Sequence, residues 1–194
     1  MTVWDDLVGQ EKVSEQLAAA ARDADAFVTA AATDGPLPET SSMTHAWLFT
    51  GPPGAGVTQT ARAFAAALQC VSPDRALGGS PGCGFCDGCH TALIGTHADV
   101  STVVAVGAEI RAQDMRDTVR KSFTSPANGR WQIILVEEAE RLNEKSANAV
   151  LKAVEEPAPR TVWLLCAPSV EDVLPTIRSR CRHLNLRTPP VEAV

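Results

Sequence analysis

Four thiols and one glycine-rich octapeptide carry most of the chemistry this sequence could do. Cys70, Cys83, Cys86 and Cys89 follow the spacing C-x12-C-x2-C-x2-C. Two overlapping C-x-x-C units sit among Gly82, Gly84 and Gly88, whose tight turns let several thiolates converge on one ion. Four protein thiolates describe a closed, structural, tetrahedral Zn2+ site with no position left for catalysis. His90 in place of one thiolate, C-x-x-C redox chemistry and four unliganded thiols are the alternatives. No thioredoxin-like context surrounds the cysteines. Cys166 and Cys181 stand in apolar or structural positions and read as core thiols.

The octapeptide is Gly51-Pro-Pro-Gly-Ala-Gly-Val-Thr58. It matches the phosphate loop G-x-x-x-x-G-K-[ST] except that Val57 stands at the lysine position. Glycines there let backbone N–H groups approach phosphate oxygens, and the following helix N-terminus adds a favourable dipole. Val57 cannot reach the β- and γ-phosphates as a lysine would, while Thr58 could still hold Mg2+. Gly51, Pro52, Pro53, Gly54, Ala55, Gly56, Val57 and Thr58 are therefore candidate contacts for ATP or ADP. The other reading is a Gly-Pro turn kept for packing. Glu137-Glu138 ends the run Ile133-Ile-Leu-Val136, a position suited to holding Mg2+ and orienting water. The first acid is Glu where Asp is usual, so one extra methylene displaces its carboxylate; a polar strand end is the competing reading. Ser179-Arg180-Cys181 adds a lone arginine, which by itself reads as a surface residue.

The elements that must position these residues alternate. Strands are expected over 46–50, 100–105, 131–136, 161–166 and 183–186, and helices over 58–69, 109–122, 144–156 and 170–178. Asn143 is the expected N-cap of the third of these helices, and Pro157 blocks its continuation. A further helix is expected early in the chain, with Val13, Leu17, Ala20 and Ala21 on one side. Residues 25–44 read as a turn-rich surface loop. Trp131-Gln-Ile-Ile-Leu-Val136 is nearly continuously apolar, as in a parallel strand covered on both faces. Alternating strands and helices give an α/β fold with a parallel five-stranded sheet flanked by helices. Residues 70–90 hold four cysteines and five glycines with hardly any apolar periodicity, so metal binding would have to fold them.

A chain of 194 residues with 45% hydrophobic and 21% charged residues is an ordinary globular composition. Its net charge of −6 argues against a self-sufficient nucleic-acid-binding domain. No apolar run is long enough to span a membrane, and Met1-Thr-Val-Trp-Asp-Asp lacks the features of a signal peptide, so a cytoplasmic location is expected.

Several stretches occur in a telling order: Trp4-Asp-Asp-Leu-Val-Gly-Gln10, the octapeptide, the four-cysteine insert, Ser125-Pro126 to Gly129-Arg130, Ala147-Asn-Ala-Val-Leu-Lys-Ala-Val-Glu-Glu-Pro157 and Ser179-Arg-Cys181. Together they resemble the AAA+ module of bacterial DNA polymerase III clamp-loader subunits across residues 3–187. The resemblance implies a Rossmann-like AAA+ sheet over residues 1–188, with a zinc module inserted at about 70–90. It implies that 189–194 begin a linker to lid and collar domains. In that family motor subunits carry the loop lysine and a polar residue after the fourth strand. Val57, Glu137 and Ala167 depart from that pattern, which implies the delta-prime type, a stator that does not hydrolyse ATP. The intact Ser-Arg-Cys motif implies that Arg180 acts in trans on the ATP of a neighbouring subunit. Implied partners are the motor and delta subunits and, through the complex, the sliding clamp and primed DNA; no membrane is implied. The competing functions are an ATP-hydrolysing motor subunit of the tau/gamma kind and a zinc-dependent nucleic-acid-binding module. Against the latter, Arg75 is the only Lys or Arg within 70–90.

Overall fold

The computed structural model describes residues 1–189. Residues 190–194, where most of the expected linker falls, lie outside the described residues. Helix α1 spans Glu11–Thr33 and strand β1 Ala46–Thr50; α2 spans Val57–Gln69, α3 Pro73–Ala76 and α4 Asp87–Leu93. Then follow β2 (Val100–Val103), α5 (Ala112–Ser122), β3 (Gln132–Val136), a 3-10 turn (Ala139–Arg141) and α6 (Glu144–Glu155). The chain closes with β4 (Thr161–Ala167), α7 (Pro175–Arg178) and β5 (Arg182–Asn185). The strands form one parallel sheet in the order β2-β3-β4-β1-β5. Every carboxyl strand end therefore lies on one edge, where open α/β sheets place ligands.

The continuous apolar runs have a structural cause. Successive residues of a strand face opposite sides, and both sides are covered. Trp47 and Phe49 pack with Phe64 under α1 and α2, while Ala46 and Leu48 pack under α5 and α6. The Trp47 and Phe64 rings meet edge-on at 5.2 Å between centroids. Asn143 caps α6 as expected, accepting the Ser146 N–H at 3.0 Å.

Three expectations are corrected. The segment 25–44 is not all loop, because α1 runs on to Thr33. Asp25-Ala-Phe-Val-Thr-Ala-Ala-Ala-Thr33 is rich in alanine, the best helix former, and Ala30 continues the buried stripe. The helix stops where Asp34 turns left-handed (φ 51°) ahead of Gly35-Pro36. The helix expected to begin near Val170 begins only at Pro175. Proline disfavours helical geometry in the residue before it, and Leu174 is extended, so the turn cannot start earlier. The helix expected from 109 starts at Ala112, because Glu109 and Ile110 bridge to Val106 and Leu142 instead. Among the described residues, no helix is long and apolar enough to cross a membrane.

Candidate functional site

The chain leaves β1 at Thr50, turns through 51–56 and enters α2 at Val57. Gly54 and Gly56 have φ of 86° and 75°, where a Cβ would be strained. A Cβ on Gly51 would come within 3.0 Å of the Leu186 carbonyl oxygen, so the loop passes close to the chain leaving β5. The Gly51 N–H donates to Pro168 O (3.2 Å) and the Ala55 N–H to Pro52 O (3.0 Å), which ties the loop to the end of β4 and to itself. The buried Gln10 side chain adds a third tether, donating to the carbonyls of Ala55 and Arg187.

Above this turn lies a cavity of about 300 Å3. Gly51, Pro52, Pro53, Gly54, Gly56, Val57 and Thr58 line it, and Ala55 is buried beneath. Gln59, Glu137, Glu140, Cys166, Ala167 and Pro168 complete the wall. The fold thus brings together the octapeptide, the first acid of the Glu-Glu pair and the end of β4. It turns Glu138 aside, to the Ala105 N–H (3.1 Å) and Arg141 (3.0 Å). Among the described residues, the lining contains two carboxylates and no Lys, Arg or His. Glu137 accepts a charge-assisted hydrogen bond from Arg62 of α2. Burial, with the charge of Glu138, pushes the Glu140 carboxyl above its usual range, and its Oε2 has no partner. Burial, with Glu137 and Glu140 nearby, pushes the Cys166 thiol up to about 12, so it stays neutral at pH 7.

The four-cysteine cluster forms on the outer flank of α2. Cys70 follows α2, Cys83 lies in the loop, Cys86 caps α4, and Cys89 sits in the first turn of α4. All four sulfurs lie within 4.8 Å of one another, with Cys83–Cys89 and Cys70–Cys86 separations of 4.0 Å. A tetrahedral zinc with Zn–S bonds of about 2.3 Å has S···S edges of about 3.8 Å, so this donor set fits the ion. The nearby Cys89 sulfur, with backbone N–H groups, holds the Cys70 thiol well below its usual range, while the nearby Cys70 sulfur and burial push Cys89 up. His90 is exposed and outside the cluster.

Arg180 lies beyond α7, away from the cavity wall. Its Nε donates to Glu155 Oε1 (2.5 Å) and its Nη1 to Thr176 O (2.6 Å). Sequence reading missed Gln10, Arg62, Glu140 and Glu155 as members of these sites. Only Arg62 had a local signal, standing four residues after Thr58 and hence on the same helix face.

Comparison with known proteins adds five findings. A profile of the family described as "DNA polymerase III, delta subunit" matches residues 37–190. DNA polymerase III subunit delta' of Pseudomonas aeruginosa is 40% identical over 139 residues, 71% of this chain and 41% of that protein. DNA polymerase III subunit gamma/tau of Mycobacterium tuberculosis is 33% identical over 149 residues, 76% of this chain and 25% of that protein. The chain thus spans less than half the length of these curated relatives. Among solved structures, a DNA polymerase III gamma subunit-related protein of Thermotoga maritima superposes with a TM-score of 0.52 at 25% identity, covering 75% of this chain and 42% of that one. A RuvB variant of Thermotoga maritima superposes with a TM-score of 0.57 at 18% identity, covering 97% and 49%, a likeness of fold alone.

Proposed function

Since the chain belongs to the DNA polymerase III, delta subunit family, we propose that it is the AAA+ module of a clamp-loader subunit that assembles with ATP-hydrolysing motors but does not itself hydrolyse ATP. One observation carries this reading: the cavity at the carboxyl edge of the sheet is lined by Val57 and two carboxylates, with no cationic side chain. Mg2+ and a lysine neutralise the developing charge in phosphoryl transfer. Here Val57 is apolar and Glu137 is already paired with Arg62, so the donor set does not fit a magnesium triphosphate. The loop then serves as packing between β1 and α2. Residues 1–188 form the module, and lid and collar domains follow it in the whole subunit.

Arg180 supplies the chemistry that the cavity lacks. It is on the surface, and its planar fork suits two phosphate oxygens of a neighbouring subunit's ATP. Glu155 and Thr176 hold it in one orientation before assembly. Its exposed ion pair with Glu155 contributes little stability, about 0–1 kcal/mol, so it can be exchanged for a phosphate contact. Cys70, Cys83, Cys86 and Cys89 hold a structural Zn2+ that folds the insert. Motor and delta subunits are direct partners, and the sliding clamp and primed DNA are reached through the complex.

The test is a reconstituted loader carrying Arg180→Ala. Turnover at the one site it faces should fall by about 10³–10⁵, lowering the ATPase of the whole loader by that site's share, while the subunits still co-elute. An unchanged rate rejects the trans-acting arginine. Similarity to gamma/tau subunits and the retained Thr58 favour a motor as the second reading; ATP turnover by the isolated chain, lost in Thr58→Ala, would establish it.

A further inference from the structure

One of the two acids that line the cavity is met from outside the lining by a cation of the protein itself. Thr58 and Arg62 lie one turn apart on α2, so both side chains face the carboxyl end of β3. The Arg62 guanidinium donates to Glu137 Oε1, with the two side chains 35% and 20% exposed. Both partners stand on rigid elements. Arg62 is in the middle of α2, and the Glu137 N–H donates to Val103 O at 3.1 Å, which extends the sheet ladder. Glu140, with an unpartnered Oε2, faces the same space.

We propose that Arg62 is a tethered counter-ion that takes the place of a divalent cation beside Thr58 and Glu137, and so sets the cavity's specificity against metal-bound ligands. Glu137 accepts from Arg62 at Oε1, so a divalent ion on the same carboxylate would have to sit beside a guanidinium of like sign. The arginine answers that carboxylate without the cost of dehydrating a metal ion. It also accounts for an acid being retained at the end of β3 in a loop that lacks its lysine. The inference rests on the reading of this site as non-hydrolysing, but its test is separate from the ATPase of any complex.

The test is Mn2+ titration of the zinc-loaded chain, followed by electron paramagnetic resonance. The wild type should show no saturable Mn2+ binding at sub-millimolar concentrations. Arg62→Met should gain one site at least tenfold tighter than anything in the wild type, and Glu137→Gln in that background should remove it. Arg62→Gln keeps a hydrogen-bonding group without the charge and should also gain the site, which covers the case where the methionine variant does not fold. Two results overturn the inference: wild type and variants binding Mn2+ alike, or folded Arg62 variants gaining no site. A loader whose ATPase ignores Arg180→Ala would sink the trans-arginine reading and leave the Mn2+ result standing, so the two failures are distinguishable.

Discussion

Arg75 is the only Lys or Arg of the cysteine-bearing insert, and it fastens that insert to two helices. Its side chain is 6% exposed. Nε lies 2.9 Å from each carboxylate oxygen of Asp25 on α1, Nη2 donates to Ala21 O at 2.8 Å, and Nη1 reaches Ala67 O in the last turn of α2. Arg75→Met keeps the apolar stem and removes the fork. Breaking a buried ion pair from one side costs about 3–5 kcal/mol, and a hydrogen bond to a charged group contributes about 1.5–3. Asp25 is 32% exposed and keeps Arg130 at 2.6 Å, so water and the second arginine absorb part of the loss. The expected cost is therefore about 2–4 kcal/mol, or roughly 5–15 °C in Tm for a chain of this size. Urea unfolding of the zinc-loaded chain, followed by circular dichroism, measures the first quantity. Zinc release to a colorimetric chelator reports whether the insert loosens, and it should quicken. Arg75→Lys keeps the charge without the fork and should fall between. A methionine variant within about 0.5 kcal/mol of wild type, a change typical of plain surface sites, with unchanged zinc release, would refute the fastening role.

The other expectations concern metal, packing and pH. The chain should carry about one zinc; Cys89→Ser should abolish it and speed amide exchange across 70–93 while β1, β3 and β4 stay protected. Gly88→Ala should destabilise by at least about 1–3 kcal/mol in thermal unfolding, because its Cβ would lie 2.0 Å from the Gln69 carbonyl oxygen, a backbone atom that cannot swing aside. Asp99→Asn should cost about 1.5–3 kcal/mol, since the carboxylate accepts N–H groups of Ala127 (2.7 Å), Asn128 (2.8 Å) and Gly129. Burial pushes Asp99 and Asp25 up, but those N–H groups and the arginines outweigh it and hold both carboxyls below their usual range. Their stabilisation is therefore fully present above the unfolded value, about 3.9, and is lost as pH falls through the lower folded values. Acid titration of unfolding should show that loss, and Asp99→Asn should flatten it.

Much of the fold was legible because its signals are local. The buried strands announce themselves as short apolar runs, since a parallel sheet covered on both faces leaves no polar side to alternate. Cys83, Cys86 and Cys89 suggest a shared ion because two-residue spacing is itself geometry, and the fold does bring their sulfurs and that of Cys70 within 4.8 Å of one another; adding Cys70 required only that α2 end beside α4. The exceptions are also local in cause. Residues 25–33 read as loop because the turn residues from Asp34 onward follow them directly, although their alanines favour helix and Ala30 continues the buried stripe. The start of α7 was misread because Leu174-Pro175 outweighs the preceding apolar residues.

What the sequence determined by itself was the α/β class, the octapeptide with Val57 at the lysine position, and four cysteines spaced so that they could share one ion. The tertiary structure alone decided which charges meet. Arg62 and Glu137 are 75 residues apart, Arg75 and Asp25 are 50 apart, and Arg180 and Glu155 are 25 apart. An ion pair between residues far apart in sequence has no periodicity along the chain. It depends on strand order and helix placement, which set two charges within reach only after the sheet has closed in the order β2-β3-β4-β1-β5.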